Sequence, residues 1–233
     1  MSCMRFARGH MARFTRLNEC GAPVEGECSV VVTKGIVTAE FSPQTSEGNA
    51  IEVRNMAGEL CHSDPACVDL TSVQVTLNFC DVDTDLFAIM TGKDPVAGAD
   101  GDGIGFYMGK IRCDVGFALE LWLGVKAGDS QCGVDGAVEY GYQLIPYISS
   151  GVIGDYTVGD DAITFNMTAQ AKFDSPWGVG PYDVIDVGDG PGPLPEPFPG
   201  ETEYGLVVRT TVPPPEPECG CTELVLPEPA PTP

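Results

Sequence analysis

The sequence predicts a mainly β protein, a β-sandwich or partly closed barrel with one flanking α-helix. Three observations carry this. About eight stretches alternate apolar and polar residues or concentrate β-branched and aromatic ones. The chain's 233 residues include 29 Gly and 20 Pro, which supply many turns and break long helices. Only one stretch, Ser72 to Gly92, changes from a period of two to helical spacing. A hydrophobic content of 43% supports a packed core rather than disorder.

Taken in order, residues 1–17 read as a basic arm with little pattern. Residues 18–187 read as the β domain. Ser29 to Pro43 is one strand with a bend at Gly35, and Ile51 to Met56 a second short one. Glu59 to Pro65 reads as an irregular loop. In Ser72 to Gly92, Val73, Val75, Leu77 and Phe79 alternate with polar residues, as in a strand with one buried face. Leu86, Phe87, Ile89 and Met90 then recur at helical spacing and should pack the helix against the sheet. Asp81, Asp83 and Asp85 suit the N-terminal end of that helix, and Gly92 suits a left-handed C-cap.

Further strands are expected at Ile104 to Met108, Phe117 to Val125, Glu139 to Ile148 and Ala162 to Ala171. Pro146 predicts an end or edge position for the third of these. Trp177 to Val187 closes the domain. Residues 188–200 read as a Pro/Gly-rich linker. Residues 201–233 hold a last strand, Tyr204 to Val212, and a Pro-rich tail. That strand is too short to fold alone and should dock on the main sheet or on a neighbouring subunit.

Charge is the strongest global signal. There are 34 acidic against 12 basic residues, a formal net charge of −22. Arg5, Arg8, Arg13 and Arg16 all precede the first acidic residue, Glu19. So acidic a body opposes tight phosphate binding, which needs Lys and Arg. It favours solubility and repulsion of polyanions. The basic arm fits docking on the acidic body of a neighbour. No run reaches the ~18 apolar residues of a membrane span.

Ten cysteines are present without a CxxC pair, so no zinc spacing is recognisable. Three short-range disulfides are candidates: Cys20–Cys28, Cys61–Cys67 and Cys113–Cys132. The competing reading is small buried thiols. Asp81-Val-Asp83-Thr-Asp85 opens like an EF-hand loop but lacks its later Gly and Glu. Asp100 and Asp102 read as an exposed acidic turn. No nucleophile, dinucleotide, Walker or zinc-protease motif is present, so no catalytic residue, metal or cofactor is expected.

The order LNFCDVDTDLFAIMTG, FALELWLGV, YGYQLIPYI, DDAITFNMTAQA and SPWGVGPYDV resembles the major tail (tail tube) proteins of long-tailed bacteriophages infecting actinobacteria. ARFTRLNECGAP and the Pro-rich Cys-x-Cys ending are similar too. The resemblance spans nearly the whole chain from Met11, and its motifs are packing motifs. It implies a non-enzymatic virion protein, made in the host cytoplasm and built into the tail. It further implies six-fold rings of this chain that stack into a tube. Tape measure and terminator proteins would be further partners, with no membrane. Double-stranded DNA would pass without specific binding. Glu40 and Glu52, on early strands, are candidate lumen acids. The alternative is a disulfide-stabilised β-sandwich that serves as a binding, adhesion or head decoration module.

Overall fold

A computed structural model describes residues 6–226, apart from 49, 65, 82, 101–102, 111, 126–138, 150, 157–162, 181–182, 187 and 189. In chain order the elements are β1 (Phe6–Leu17), β2 (Gly26–Thr33), β3 (Ile36–Glu47), β4 (Ile51–Arg54), β5 (Leu60–Asp64), β6 (Val68–Phe79), α1 (Thr84–Thr91), β7 (Val96–Ala97), β8 (Gly103–Gly105), β9 (Gly116–Val125), β10 (Tyr140–Ser149), β11 (Val152–Ile153), β12 (Phe165–Ala171), β13 (Ile185–Asp186), β14 (Pro191–Gly192), β15 (Leu206–Thr210) and β16 (Thr222–Leu224). The protein is therefore mainly β with a single described helix. Its principal sheet runs β16-β2-β1-β9-β10-β12-β6-β3, with β11 beside β12 and β15 beside β10. The path is open. Among the described residues, β16 and β3 each have a sheet neighbour on one side only.

The expected N-terminal arm is instead a central strand. β1 lies between β2 and β9, with Arg13 opposite Val32 on one side and Glu120 on the other. Met11, Ala12, Phe14 and Leu17 are buried. The arginines mask this strand in the sequence, because such residues ordinarily face water.

The core has two parts, on opposite faces of β1, β9 and β10. Phe14, Phe117, Leu119, Leu121 and Ile145 face one way, toward β6, β12 and α1. Met11, Ala118, Trp122, Tyr142 and Leu144 face the other, toward Trp177, Val184, Leu194 and Phe198. Strands covered on both sides are apolar almost throughout. That explains the near-continuous run from Phe117 to Val125.

Ser29 to Pro43 is two strands, not one bent strand. Only Lys34 and Gly35 separate β2 from β3, yet these strands lie far apart along the sheet path. The sheet must therefore curl until its two ends approach each other. Phe14 of β1 accordingly meets Phe79 of β6, with ring centroids 6.1 Å apart. Gly35 is required at the crossing, since a Cβ there would strike the backbone carbonyl of Asp81.

Helix α1 is capped at both ends. The Asp83 carboxylate accepts the Asp85 N–H at 2.9 Å. Gly92 adopts φ 68° and donates its N–H to the Ala88 carbonyl at 2.8 Å. A side chain at Gly92 would also collide with Val115. Leu86, Phe87, Ile89 and Met90 are buried. With eight residues, the helix is too short to hold itself together in water and depends on this packing.

Pro146 lies inside a central strand rather than at an edge. β10 keeps β9 along one side throughout. On its other side it pairs with β15 through Tyr140 to Leu144, then meets β12 only at Ile148. The ladder to β9 is irregular between Ile145 and Ile148. A residue with no N–H is tolerated where a strand bulges and changes partner.

Residues expected as a linker pack back on the domain. Leu194 and Phe198 are buried in the second core. Their N–H groups donate to Val179 and Gly178. Pro191 and Gly192 pair with β13, and residues 193–200 form a Pro-rich covering segment outside any ladder. The last expected strand docks on the main sheet as β15.

Candidate assembly surface

The most unusual feature is a hairpin that leaves the body. β3 and β6 stay paired out to Glu47 opposite Val68, and β4 and β5 continue the hairpin from Ile51 opposite Asp64 to Arg54 opposite Leu60. Gly48 donates to the Cys67 carbonyl at 3.1 Å and links the two halves. The expected irregular loop from Glu59 is thus mostly the strand β5. Every described residue from Pro43 to Asp69 is exposed. At ~3.3 Å per residue, the dozen residues from Pro43 to Arg54 span roughly 40 Å.

The tip of this arm is built locally. The Asn55 side-chain oxygen accepts the N–H groups of Ala57 and Glu59 at 3.0 and 2.9 Å. Its amide donates to Glu59 at 2.7 Å, and Gly58 takes φ 84°. Ile51, Val53, Met56, Leu60 and Val68 are nevertheless large apolar side chains left in water. An isolated two-stranded hairpin is at best marginally stable. This one has a specified tip and an unburied apolar surface.

A second surface is polar. On the face of β3, β6 and β12 opposite the core, cross-strand neighbours run Thr38–Asn78–Asn166, Glu40–Thr76–Thr168 and Ser42–Gln74–Gln170. Asn78 donates to Thr38 at 2.7 Å, and Asn166 donates to Asn78 at 3.1 Å. Three rows of hydroxyls and amides thus carry one charge, Glu40, and no Lys or Arg.

Glu40 and Glu52 do not share a surface. Glu40 is exposed on this polar face, whereas Glu52 is exposed on the arm, 3.3 Å from Arg54. Elsewhere at the surface, a hydrogen bond from Arg112 holds the Asp114 carboxyl below its ordinary range, and the same bond raises Arg112. Both side chains are about half exposed, so solvent screens this pair.

The cysteines depart from the expected pairing. Cys28 is bonded to Cys221, not to Cys20. The reason is register: β16 runs beside β2 with Thr222 opposite Val30, which brings the Cys221 Cα to 4.6 Å from that of Cys28. Cys20, Cys61, Cys67 and Cys113 are free and exposed. Cys61 and Cys67 lie along one side of the hairpin, and an extended chain separates residues six apart by roughly 20 Å, too far for a disulfide. Cys132 lies outside the described residues, as does Asp102.

One buried polar cluster escaped the sequence reading. Glu120 has no exposed surface, yet its two oxygens accept bonds from Arg13 at 2.7 and 2.6 Å and from the Tyr142 hydroxyl at 2.6 Å. The Arg13 guanidinium also lies 5.0 Å from the centre of the Trp122 ring. The available signal was a lone carboxylate in an otherwise apolar strand, opposite an excess of arginines.

No protein-family model matches this chain, and no curated protein matches it.

Proposed function

We propose that this chain is a structural subunit that assembles with copies of itself, as a tail tube protein does. The finer fold reading is a β-sandwich, curled toward a barrel, with α1 on its flank. The observation that carries the proposal is the projecting hairpin from Pro43 to Asp69, exposed along its whole described length. It needs a neighbour, and the open edges of β3 and β16 offer further places for strand pairing between subunits. A closed ring of copies, stacked into a tube, turns an aggregation hazard into a defined assembly. No enzymatic step is part of this reading.

The polar face of β3, β6 and β12 is the proposed channel wall. Its hydroxyls and amides offer DNA no basic anchor, and Glu40 adds repulsion that acts over about 8 Å at physiological salt. Six free cysteines against one disulfide among the described residues are the wrong balance for a disulfide-stapled binding module.

Deleting residues 48–67 and closing the strands with a short Gly-containing turn tests the assembly claim. The expected variant keeps the wild-type urea midpoint and circular dichroism but forms no rings or tubes by negative-stain microscopy, where wild type does. Wild-type protein that stays monomeric under every condition, in virions as well as in solution, would sink the proposal, as would a variant that still assembles. Glu40→Gln tests the channel wall separately. The tube should form normally and DNA should leave more slowly, so unchanged ejection kinetics would remove the lubricating role.

A further inference from the structure

We propose that Cys28, Asp85 and Cys221 form a zinc site in the reduced chain, with the Cys28–Cys221 disulfide as its oxidised alternative. Both thiol sulfurs and a carboxylate oxygen of Asp85 lie within 4.8 Å of one another. They come from three separate places: the start of β2, the first turn of α1 and the segment leading into β16. All three are partly buried, so the site is neither sealed nor spread over open surface.

Contacts other than the sulfur–sulfur bond also hold this geometry. Thr222 pairs with Val30 and Leu224 with Gly26, which fixes the tail beside β2. The Cys221 N–H donates to Asp85 at 3.2 Å, and the Gly220 N–H donates to Asp83. Asp83 in turn orients Asp85 through its backbone N–H at 2.9 Å. Cys28 itself is held at φ 56°, a conformation that L side chains rarely adopt. Reduction therefore leaves two thiols and a carboxylate still directed at one point.

The donor set selects the cation. Two thiolates and one carboxylate suit Zn²⁺, which takes sulfur at ~2.3 Å and oxygen at ~2.0–2.2 Å in a tetrahedral arrangement. Hard cations such as Ca²⁺ and Mg²⁺ want oxygen alone. Ligand atoms on a tetrahedral zinc stand roughly 3.5 Å apart, so rotation of the two cysteine side chains suffices. Water completes the fourth position. Without a cation, two thiolates beside Asp85 and Asp83 would repel one another. With zinc, the ligand charge of three is reduced to one.

The chemistry balances in both directions. Zinc binding to the dithiol displaces two protons. Oxidation by a low-molecular-weight disulfide, such as oxidised glutathione, forms the Cys28–Cys221 bond. It moves two electrons to the oxidant, which leaves as two thiols, and it expels the zinc. Either state pins the C-terminal segment to β2 and to the start of α1.

The test uses the full chain kept reduced with a phosphine. Zinc is counted by elemental analysis after desalting, and Co²⁺ serves as the spectroscopic probe. One zinc per chain is expected, with a thiolate-to-cobalt charge-transfer band and the visible bands of tetrahedral Co²⁺. Cys28→Ser and Cys221→Ser should each lose that equivalent, and Cys219→Ser should keep it. Asp85→Asn should weaken binding roughly tenfold or more. This variant retains both thiols and reports on folding by circular dichroism. Oxidised wild type should take up none. The proposal is overturned if reduced wild type holds no more zinc than Cys28→Ser, or if oxidised protein binds equally well.

Discussion

Glu120→Ala lowers the stability of the folded chain by about 3–5 kcal/mol, the range for removing one partner of a buried ion pair. The cause is not the lost attraction alone. Arg13 sits directly across from Glu120 in the β1–β9 register, almost wholly buried, and its charge would lose the carboxylate that faces it. The Tyr142 hydroxyl would lose its acceptor at the same time. Arg13→Ala should cost a similar amount by stranding the carboxylate. Tyr142→Phe removes one bond to a charged group, worth ~1.5–3 kcal/mol. The decisive comparison is the double variant Arg13→Met with Glu120→Leu. It should recover much of the loss, because apolar replacements leave no unpaired charge. Urea denaturation of the four proteins checks this. A Glu120→Ala cost below about 1 kcal/mol would mean that water reaches the pair.

Phe87→Ala should cost about 3–5 kcal/mol, as expected for deleting a buried aromatic side chain. Phe87 lies on the buried face of α1, stacked on Phe106 with centroids 4.0 Å apart and edge-on to Phe165 at 5.9 Å. It ties the helix both to β12 and to the loop after β8. Since an eight-residue helix has little stability of its own, losing that anchor should also loosen Leu86, Ile89 and Met90. Hydrogen exchange in residues 84–92 should rise with the fall in the urea midpoint. A near-neutral result would show that this packing carries little weight in the isolated chain.

Local periodicity made some elements legible. Ser72 to Gly92 reads in the sequence as a strand that turns into a helix, and the structure has β6 followed by α1, with Asp83 and Gly92 as its caps. That works because caps and alternation depend on residues a few positions apart. β1 was illegible for the opposite reason. Arg13 looks like a residue that wants water, and its burial depends on partners such as Glu120, more than a hundred positions away. The single strand read through Gly35 failed in the same way. Composition continues across Lys34 and Gly35, but the two halves belong to opposite ends of a curled sheet.

The candidate surfaces divide along the same line. Glu40 was visible as an acid on an early strand, but its setting among hydroxyls and amides depends on the register of β6 and β12. The cluster of Cys28, Asp85 and Cys221 could not be seen in the sequence, because strand pairing and a helix cap bring these residues together, not proximity in the chain.

By itself, then, the sequence determined that the protein is mainly β with one short helix, strongly acidic, and rich in turns. Those properties follow from composition and from patterns within about ten residues. The tertiary structure alone decided which strands are buried on both faces, which cysteine meets which, and which hairpin stands free of the body. Each of these depends on contacts between distant residues, where burial and pairing outweigh the preferences of the residues taken singly.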